Sequence, residues 1–334
     1  MIRVGIIGAG RITEAHLNAL RELSGVFVTV AVCDPVFENA ERYAKVFHDL
    51  HIYKDHFTML KEEDIDLAVI ATPNGLHYKL CKELIESGLN VLVEKPLALT
   101  YREAEEIVNL ASLKNIFVGV VTQKRLLPLY KTLKSAIDNG KFGKIYLAHL
   151  SLKWSRPEEY FLSTWRGTRE MDGGIIFNQA MHNIDILDYL LSIVEVFAYG
   201  GTFTHNIETE DNVVGVFKTK SGAVGSFDLT ISLSDKNMGE LIEVFGEKGR
   251  FLYGTGRYES LTTFPAFLNI QDNDILINNL PTIEGNLHKL VYSEVADAIE
   301  NGGDSVINAK NVLHSILVAE AIMKSLQRHE TIFI

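Results

Sequence analysis

The stretch NVLVEKPLALT, residues 90–100, ends an apolar run in a carboxylate and an ammonium, Glu94 and Lys95, and is closed at once by Pro96. Proline fixes φ and has no amide N–H to donate, so a strand here must stop. The lysine is either half of a surface ion pair at a strand end or a catalytic amine at the mouth of a sheet. A second reactive pattern is GIIGAGRIT, in which Gly8 and Gly10 follow a strand-like run and Arg11 and Ile12 open a helix-like one. Two such glycines let backbone N–H groups approach a pyrophosphate at a helix N-terminus. Thr13 stands at the third glycine position, which concerns helix packing and not phosphate contact. Asp34 ends the next apolar run, roughly 20 residues on, where a carboxylate accepts both ribose hydroxyls of an adenosine and repels a 2′-phosphate. Pro35 and Val36 follow it, with no arginine immediately beside it. The expected cofactor is therefore NAD, in preference to NADP.

A third pattern is MDGGIIFNQAMHNIDILDYLL. Read as one helix, Ile176, Ala180, Ile184, Leu187 and Leu191 share a face, and Asn178, His182, Asp185 and Tyr189 form a narrow polar stripe opposite. The stripe is either a hydrogen-bonding surface for a ligand or a solvated face whose histidine caps a neighbouring loop. Gly173 and Gly174 upstream allow close approach of another chain, a cofactor or a substrate. Trp154, Arg156, Tyr160, Trp165 and Arg166 cluster in sequence. Arginines grip phosphate or carboxylate by paired hydrogen bonds, and aromatic faces pack on sugar or uracil rings. The alternative is Trp154 in a sheet core with the arginines on the surface.

These residues need elements to position them. From the start, short β-branched runs alternate with helical patterns, through IRVGIIG, VFVTVAVCD, DIDLAVIATP, NVLVEKP and IFVGVVTQ. That alternation indicates an α/β domain with a parallel sheet covered on both faces, a Rossmann-type arrangement that binds ligands beyond the carboxyl ends of its strands. The loops carrying Gly8, Asp34, Thr72, Glu94, Lys95 and Gln123 all fall there. After residue 123 the pattern changes. YKTLKSAIDNGKFG reads as a connecting helix, and KIYLAHLSLKW as a strand with Tyr146, Ala148, Leu150, Leu152 and Trp154 on one face. NVVGVFKTKSGAVGSFDLTIS and MGELIEVFGEKGRFLYG read as an antiparallel meander. Residues 1–123 are thus expected to form the dinucleotide domain, and 124–334 an α+β domain with a largely antiparallel sheet for substrate binding and oligomerisation.

Composition limits the partners. A chain of 334 residues suits two cores, and 47% hydrophobic with 22% charged residues is ordinary globular composition. A formal net charge of -11, with no Lys/Arg cluster, makes nucleic acid a poor partner. Cys33 and Cys81 have no metal-ligand or disulfide spacing, so reduced structural thiols and no metal are expected. The chain opens directly on a strand, and no run reaches about 18 apolar residues. A cytoplasmic protein without a membrane partner is expected.

Taken together, GIIGAGRIT, CDP, ATPNGLH, VEKPLALT and DGGIIFNQAMHNID resemble the Gfo/Idh/MocA oxidoreductase family across essentially the whole chain. The resemblance implies an NAD-dependent dehydrogenase in which the EKP lysine, Lys95, approaches nicotinamide and the reacting hydroxyl, and His182 is the helix histidine. Thr72, Asn74 and His77 would border the dinucleotide; for His77 the plainer reading is an exposed helix-start residue. Glu94 would orient the cofactor or the lysine. Members with an acidic helix motif carry Asp where this chain has Asn178. LKWSRPEEYF, WRGTREMDGG and NQAMHNIDILDYL look most like members that oxidise C3 of UDP-N-acetylglucosaminuronic acid for bacterial surface polysaccharides. Removing hydride from a secondary alcohol requires a base for its O–H proton. His182 is assigned as that base, with Lys95 positioning the oxygen and sharing the proton; the reverse division stays open. The expected partners are a sugar nucleotide or sugar, 2-oxoglutarate if NADH is reoxidised in place, and copies of the same chain in a homodimer or homotetramer. Competing readings are a dehydrogenase of a free polyol, an unactivated sugar or another sugar nucleotide such as UDP-N-acetylglucosamine, and a non-catalytic NAD-sensing regulator.

Overall fold

Strand β1 (Ile2–Ile7) is almost wholly apolar and buried, and it lies in the middle of a parallel sheet because both its faces must be covered. The computed structural model describes residues 1–162, 165–256, 267–270, 273–276, 286–302 and 305–334; for 267–270 and 273–276 only the backbone is described. After β1 come α1 (Arg11–Glu22), β2 (Phe27–Cys33), α2 (Phe37–Ala44), β3 (His51–Tyr53), α3 (His56–Glu62) and β4 (Leu67–Ile70). Then come α4 (His77–Glu86), β5 (Asn90–Val93), α5 (Tyr101–Lys114) and β6 (Val118–Val120). The six strands are ordered β3-β2-β1-β4-β5-β6, so the direction of winding reverses between β1 and β4. Such a reversal opens a crevice outside the strand ends. Cys33 and Cys81 are buried without disulfides. Burial pushes the Cys33 thiol up to about 12, and Cys81 is raised by burial as well. Both are packing groups.

One compact unit comprises Met1–Gln123 together with Ile283–Leu313, and the other Lys124–Thr282 with His314–Ile334. The expected division left 124–334 in one piece, but α9 (His288–Asn301) belongs with the first unit. Its Val291, Tyr292 and Val295 are buried, and the Tyr292 ring meets Phe27 edge-on with centroids 5.4 Å apart. Beyond it, Val120 N donates to Ile307 O (2.8 Å), and Gly119 bridges to Asn308. The returning segment covers the open edge of β6, a row of backbone groups that otherwise invites pairing with another chain. Sequence periodicity carries no information about which sheet edge a distant segment closes.

The second unit begins with α6 (Pro128–Asp138) and β7 (Ile145–Lys153), continues through α7 (Gly174–Phe177), α8 (Met181–Leu191), β8 (Ile193–Gly201), β9 (Asn212–Thr219), β10 (Val224–Thr230), β11 (Gly239–Gly246), β12 (Gly249–Gly254), β13 (Phe267–Ile270) and β14 (Asn273–Leu276), and ends with α10 (Ala309–Arg328) and β15 (Ile332–Phe333). Its sheet is ordered β14-β13-β12-β11-β7-β10-β9-β8-β15. The expected hairpins β9–β10 and β11–β12 are antiparallel, but β7 pairs with β10 in parallel, so the sheet is mixed. On β7, Ala148, Leu150 and Leu152 are core, whereas Tyr146 is exposed and Trp154 lies beyond the strand, half-buried. The other face of the sheet carries exposed Leu147, Val214, Val216 and Val224. Among the described residues no helix is long and apolar enough to cross a membrane.

The single helix read over residues 174–191 is two. Gly173 and Gly174 have φ of 75° and 73°, and Ala180 N donates to Ile175 O (2.8 Å), five residues back, as in a π-type bulge. One extra residue shifts the 3.6-residue phase of α8 relative to α7, so the projection that placed Asn178 on the face of His182, Asp185 and Tyr189 does not hold across the break, although those three remain together on α8. Asp185 is buried and holds Arg125, with Arg125 Nε to Oδ2 at 2.9 Å and NH2 to Oδ1 at 2.6 Å. Ser315 Oγ donates to the same carboxylate (2.8 Å), and the Arg125 guanidinium lies over the Tyr189 ring (4.8 Å). Asp185 and Tyr189 are therefore structural. With the two side chains of the pair 2% and 3% exposed, Asp185→Ala should cost about 3–5 kcal/mol by urea unfolding, because it strands a buried guanidinium. A loss under about 1 kcal/mol would contradict this role.

Candidate active site

The glycine turn is held from three sides. Gly8 has φ 98°, and a Cβ there would stand 2.5 Å from Ala71 O. Its carbonyl accepts the Thr13 hydroxyl (2.8 Å), so the residue at the third glycine position ties α1 to the turn. Ala9 N donates to Asp34 Oδ2 (2.9 Å), while Asp34 Oδ1 accepts from Val36 N (2.9 Å) and Asn39 Nδ2 (3.2 Å). Arg42 NH2 donates to Ala9 O (2.7 Å) and Tyr43 OH to Gly10 O (2.6 Å). Sequence reasoning missed Arg42 and Tyr43; their signal was two polar groups on the helix immediately after Asp34.

The residues fit a dinucleotide. Gly10, Arg11 and Ile12 are exposed at the start of α1, Gly10 offers no side-chain cap, and a Cβ at Gly10 would meet nothing within 4 Å. Backbone donors and a helix dipole thus face open space where a phosphate can sit. Asp34 stands at the end of β2, and Gln123 Oε1 is buried without a hydrogen-bond partner among the described residues.

In the run from Val91 to Ala98, Lys95 alone is not buried. Glu94 is 8% exposed and turned inward. Its Oε1 accepts from His16 (3.1 Å) and His288 (3.2 Å), and its Oε2 from the Lys95 backbone N–H (3.3 Å). His77 is neither an exposed helix-start residue nor a ring open to cofactor. It is buried, with Nδ1 2.7 Å from Pro96 O and Nε2 3.1 Å from Thr72 O, and its pKa is lowered by burial. It ties the Lys95–Pro96 loop to the loop after β4. In that second loop Asn74 is buried and Thr72 half-buried.

In the other unit Asn178 and His182 are half-buried, whereas Asp172, Gln179 and Asp185 are buried. Asn178 Nδ2 donates to Asp172 Oδ1, and Asp172 Oδ2 accepts from Gly167 N (2.9 Å). A carboxylate therefore adjoins Asn178, supplied by the preceding loop, a link that the sequence spacing did not reveal. Both amide atoms of Gln179 are buried without a partner among the described residues, a second missed polar group. Gly174 makes room for chain and not for ligand: a Cβ there would lie 2.7 Å from Thr209 Cβ. The aromatic–arginine cluster does assemble. The Arg156 guanidinium lies 4.7 Å over Trp154 and 5.4 Å over Tyr160, and that of Arg166 lies 4.5 Å over Tyr160 and 5.0 Å over Trp165. Arg156 NH1 donates to neutral oxygens, Ser155 O (2.8 Å) and Asn237 Oδ1 (3.4 Å), and burial lowers the pKa of this arginine.

A parallel sheet wound in this order, with a glycine turn and Asp34 at its crevice, is the architecture of a dinucleotide-binding domain. The chain belongs to the Gfo/Idh/MocA family: residues 2–122 match the oxidoreductase family model with NAD-binding Rossmann fold, and residues 130–252 match the family's C-terminal domain. It is an NAD-dependent enzyme. It is similar to the WlbA dehydrogenase of Chromobacterium violaceum, solved with NADH and UDP-GlcNAcA, at 29% identity and a TM-score of 0.92 over 100% of this chain and 96% of that one. The Bordetella pertussis WlbA dehydrogenase, solved with the same two ligands, is 29% identical with a TM-score of 0.87, covering 100% and 98%. Among curated relatives, scyllo-inositol 2-dehydrogenase (NAD(+)) of Bacillus subtilis is 26% identical over 314 residues, 92% of this chain and 88% of that one.

The two glycines should separate in mutation. Gly10→Ala should leave thermal stability unchanged and weaken NAD binding at least tenfold in a fluorescence titration, because its methyl enters the phosphate space; Gly8→Ala should lower stability as well, since its methyl meets backbone. Equal NAD affinity of Gly10→Ala and the parent would remove that turn from the cofactor site. In the same titration NAD should bind more tightly than NADP, and Asp34→Ser should narrow the difference.

Proposed function

We propose that the protein oxidises C3 of UDP-N-acetylglucosaminuronic acid to the 3-keto sugar nucleotide, in bacterial surface-polysaccharide synthesis. The observation that carries this reading is the ladder of two guanidinium groups between Trp154, Tyr160 and Trp165, in a chain whose whole length resembles two dehydrogenases solved with that sugar nucleotide. A UDP-uronate presents a diphosphate, a carboxylate and a flat uracil ring. Arginines bind the first two by charge-assisted hydrogen bonds, and aromatic faces bind the third.

Oxidation of a secondary alcohol removes a hydride from carbon and a proton from oxygen. NAD, when bound, supplies the hydride acceptor. The chain's own residues handle the proton. In this reading His182 takes it, since imidazole is the side chain whose ordinary titration range lies nearest neutrality. Lys95 positions the hydroxyl oxygen and stabilises the alkoxide character that develops on it. Asn178, half-buried and tied to Asp172 through its amide nitrogen, is assigned here to substrate binding. A 3-keto product is a substrate for transamination, and 2-oxoglutarate would serve as acceptor if NADH is reoxidised in place.

The inositol-dehydrogenase relative supports a second reading, a free polyol as substrate. Purified protein incubated with NAD should give a 3-keto product from UDP-N-acetylglucosaminuronic acid, with and without 2-oxoglutarate. A product only from myo-inositol, a free sugar or UDP-N-acetylglucosamine would overturn the uronate assignment. Lys95→Met and His182→Asn should each lose about 10²–10⁴ in kcat with NAD binding retained; unchanged turnover would remove the residue from the mechanism. The exposed apolar face of the second unit's sheet is the proposed contact between copies in a homodimer or homotetramer. Val216→Glu combined with Val224→Glu should reduce the assembly to smaller species in light scattering, whereas a monomeric parent would refute it.

A further inference from the structure

Lys95 can act only if its main chain is fixed, and the residues that fix it come from three distant parts of the first unit. We propose that His16, His288 and Tyr292 are positioning residues for Lys95, acting through the Glu94 carboxylate that accepts its backbone N–H. This inference rests on the assignment of Lys95 to the reaction.

The chain of contacts is closed and buried. His16 and Tyr292 are fully buried, His288 and Glu94 nearly so. Tyr292 OH lies 2.9 Å from His16 Nδ1, and His16 Nε2 lies 3.1 Å from Glu94 Oε1. Burial lowers the pKa of His16 and raises that of Tyr292, so the neutral imidazole takes the phenol proton's hydrogen bond at Nδ1 and donates from Nε2. His288 Nε2 reaches the same oxygen (3.2 Å). Burial alone would raise the pKa of Glu94, but hydrogen bonds from the two histidines hold it well below the carboxylate range. Its other oxygen then accepts from Lys95 N (3.3 Å). The His288 backbone N–H donates to Asn286 Oδ1 (3.0 Å), and Asn286 Nδ2 donates to Ala15 O, so the segment carrying His288 is anchored to α1 beside His16.

A buried carboxylate with fewer donors costs free energy and is free to turn, which releases the Lys95 amide. The contacts are to the main chain of Lys95, and none of the three residues is a group that exchanges a proton with substrate. His16 Nε2, Glu94 and His288 Nε2 are also the one group of ligand atoms among the described residues compact enough to hold a metal ion. The hydrogen bonds account for the same closeness without one.

The test compares His288→Leu, which deletes the donor, with His288→Gln, whose amide N–H restores it, and adds Tyr292→Phe as a milder variant that keeps the fold. His288→Leu should lower kcat 10- to 100-fold with KM and NAD affinity within twofold of the parent, and His288→Gln should recover most of the loss. Tyr292→Phe should lower kcat a few-fold. Amide hydrogen exchange of residues 94–97, followed by mass spectrometry, should quicken in His288→Leu and Tyr292→Phe and return in His288→Gln. Unchanged exchange in both deletion variants, or a kcat loss that His288→Gln shares in full, would overturn the positioning role. Faster exchange with kcat untouched would instead overturn Lys95 as the reactive lysine. One equivalent of zinc bound to the parent and lost from His288→Leu, by metal analysis, would replace the hydrogen-bonded network with a metal site and overturn the proposal.

Discussion

A chain that turns out of a buried strand end must have its backbone groups paired, because a buried amide or carboxylate left without a partner costs free energy. Here the strand is β5, every neighbour of Lys95 from Val91 to Ala98 is buried, and the amide of Lys95 meets a carboxylate that cannot move without leaving two histidines unsatisfied. His77 completes the restraint from the other side by reaching Pro96 O and Thr72 O. Desolvating Glu94 is costly on its own, and the hydrogen bonds that offset that cost fix the direction in which the lysine emerges. Much of the first unit serves this requirement: α9 returns to cover α1, bringing Tyr292 and His288 with it.

The glycine turn shows the same economy of means with neutral groups. Thr13, Asp34, Arg42 and Tyr43 each take a backbone atom of residues 8–10, and the uncapped start of α1 is left facing outward. A loop held on its inner side and open on its outer side loses little freedom when a pyrophosphate arrives, so the dipole and amides there contribute to affinity with little ordering cost.

The alternation of apolar runs and helices made the six-stranded sheet legible, because each strand is buried on both faces and reads as a continuous run. The cofactor turn and the Lys95 position were legible for the same reason: strand ends are marked by glycine and proline. What periodicity could not carry was long-range. The return of α9 and the parallel pairing of β7 with β10 depend on which segments meet, and no local pattern states it. The stripe through Asp185 and Tyr189 failed for a different reason. Both sit on one continuous helix with His182, but Arg125 and Ser315 cover Asp185 and the Arg125 guanidinium covers the Tyr189 ring; periodicity marks a face as polar without saying what packs on it. His77 looked like a ligand group and is a tie between two loops; a histidine's type says that it can donate, not to whom.

The measurement that tests the central claim most directly follows the hydrogen itself. UDP-N-acetylglucosaminuronic acid carrying deuterium at C3 is incubated with stoichiometric enzyme and NAD, and the reduced cofactor is analysed by mass spectrometry. The account predicts deuterium on the nicotinamide in a single turnover, and its absence when Lys95→Met replaces the parent. Reduced cofactor without deuterium would place the oxidation at another carbon, and no reduction at all with a folded, NAD-loaded protein would contradict the reading of this site as a dehydrogenase of that sugar nucleotide.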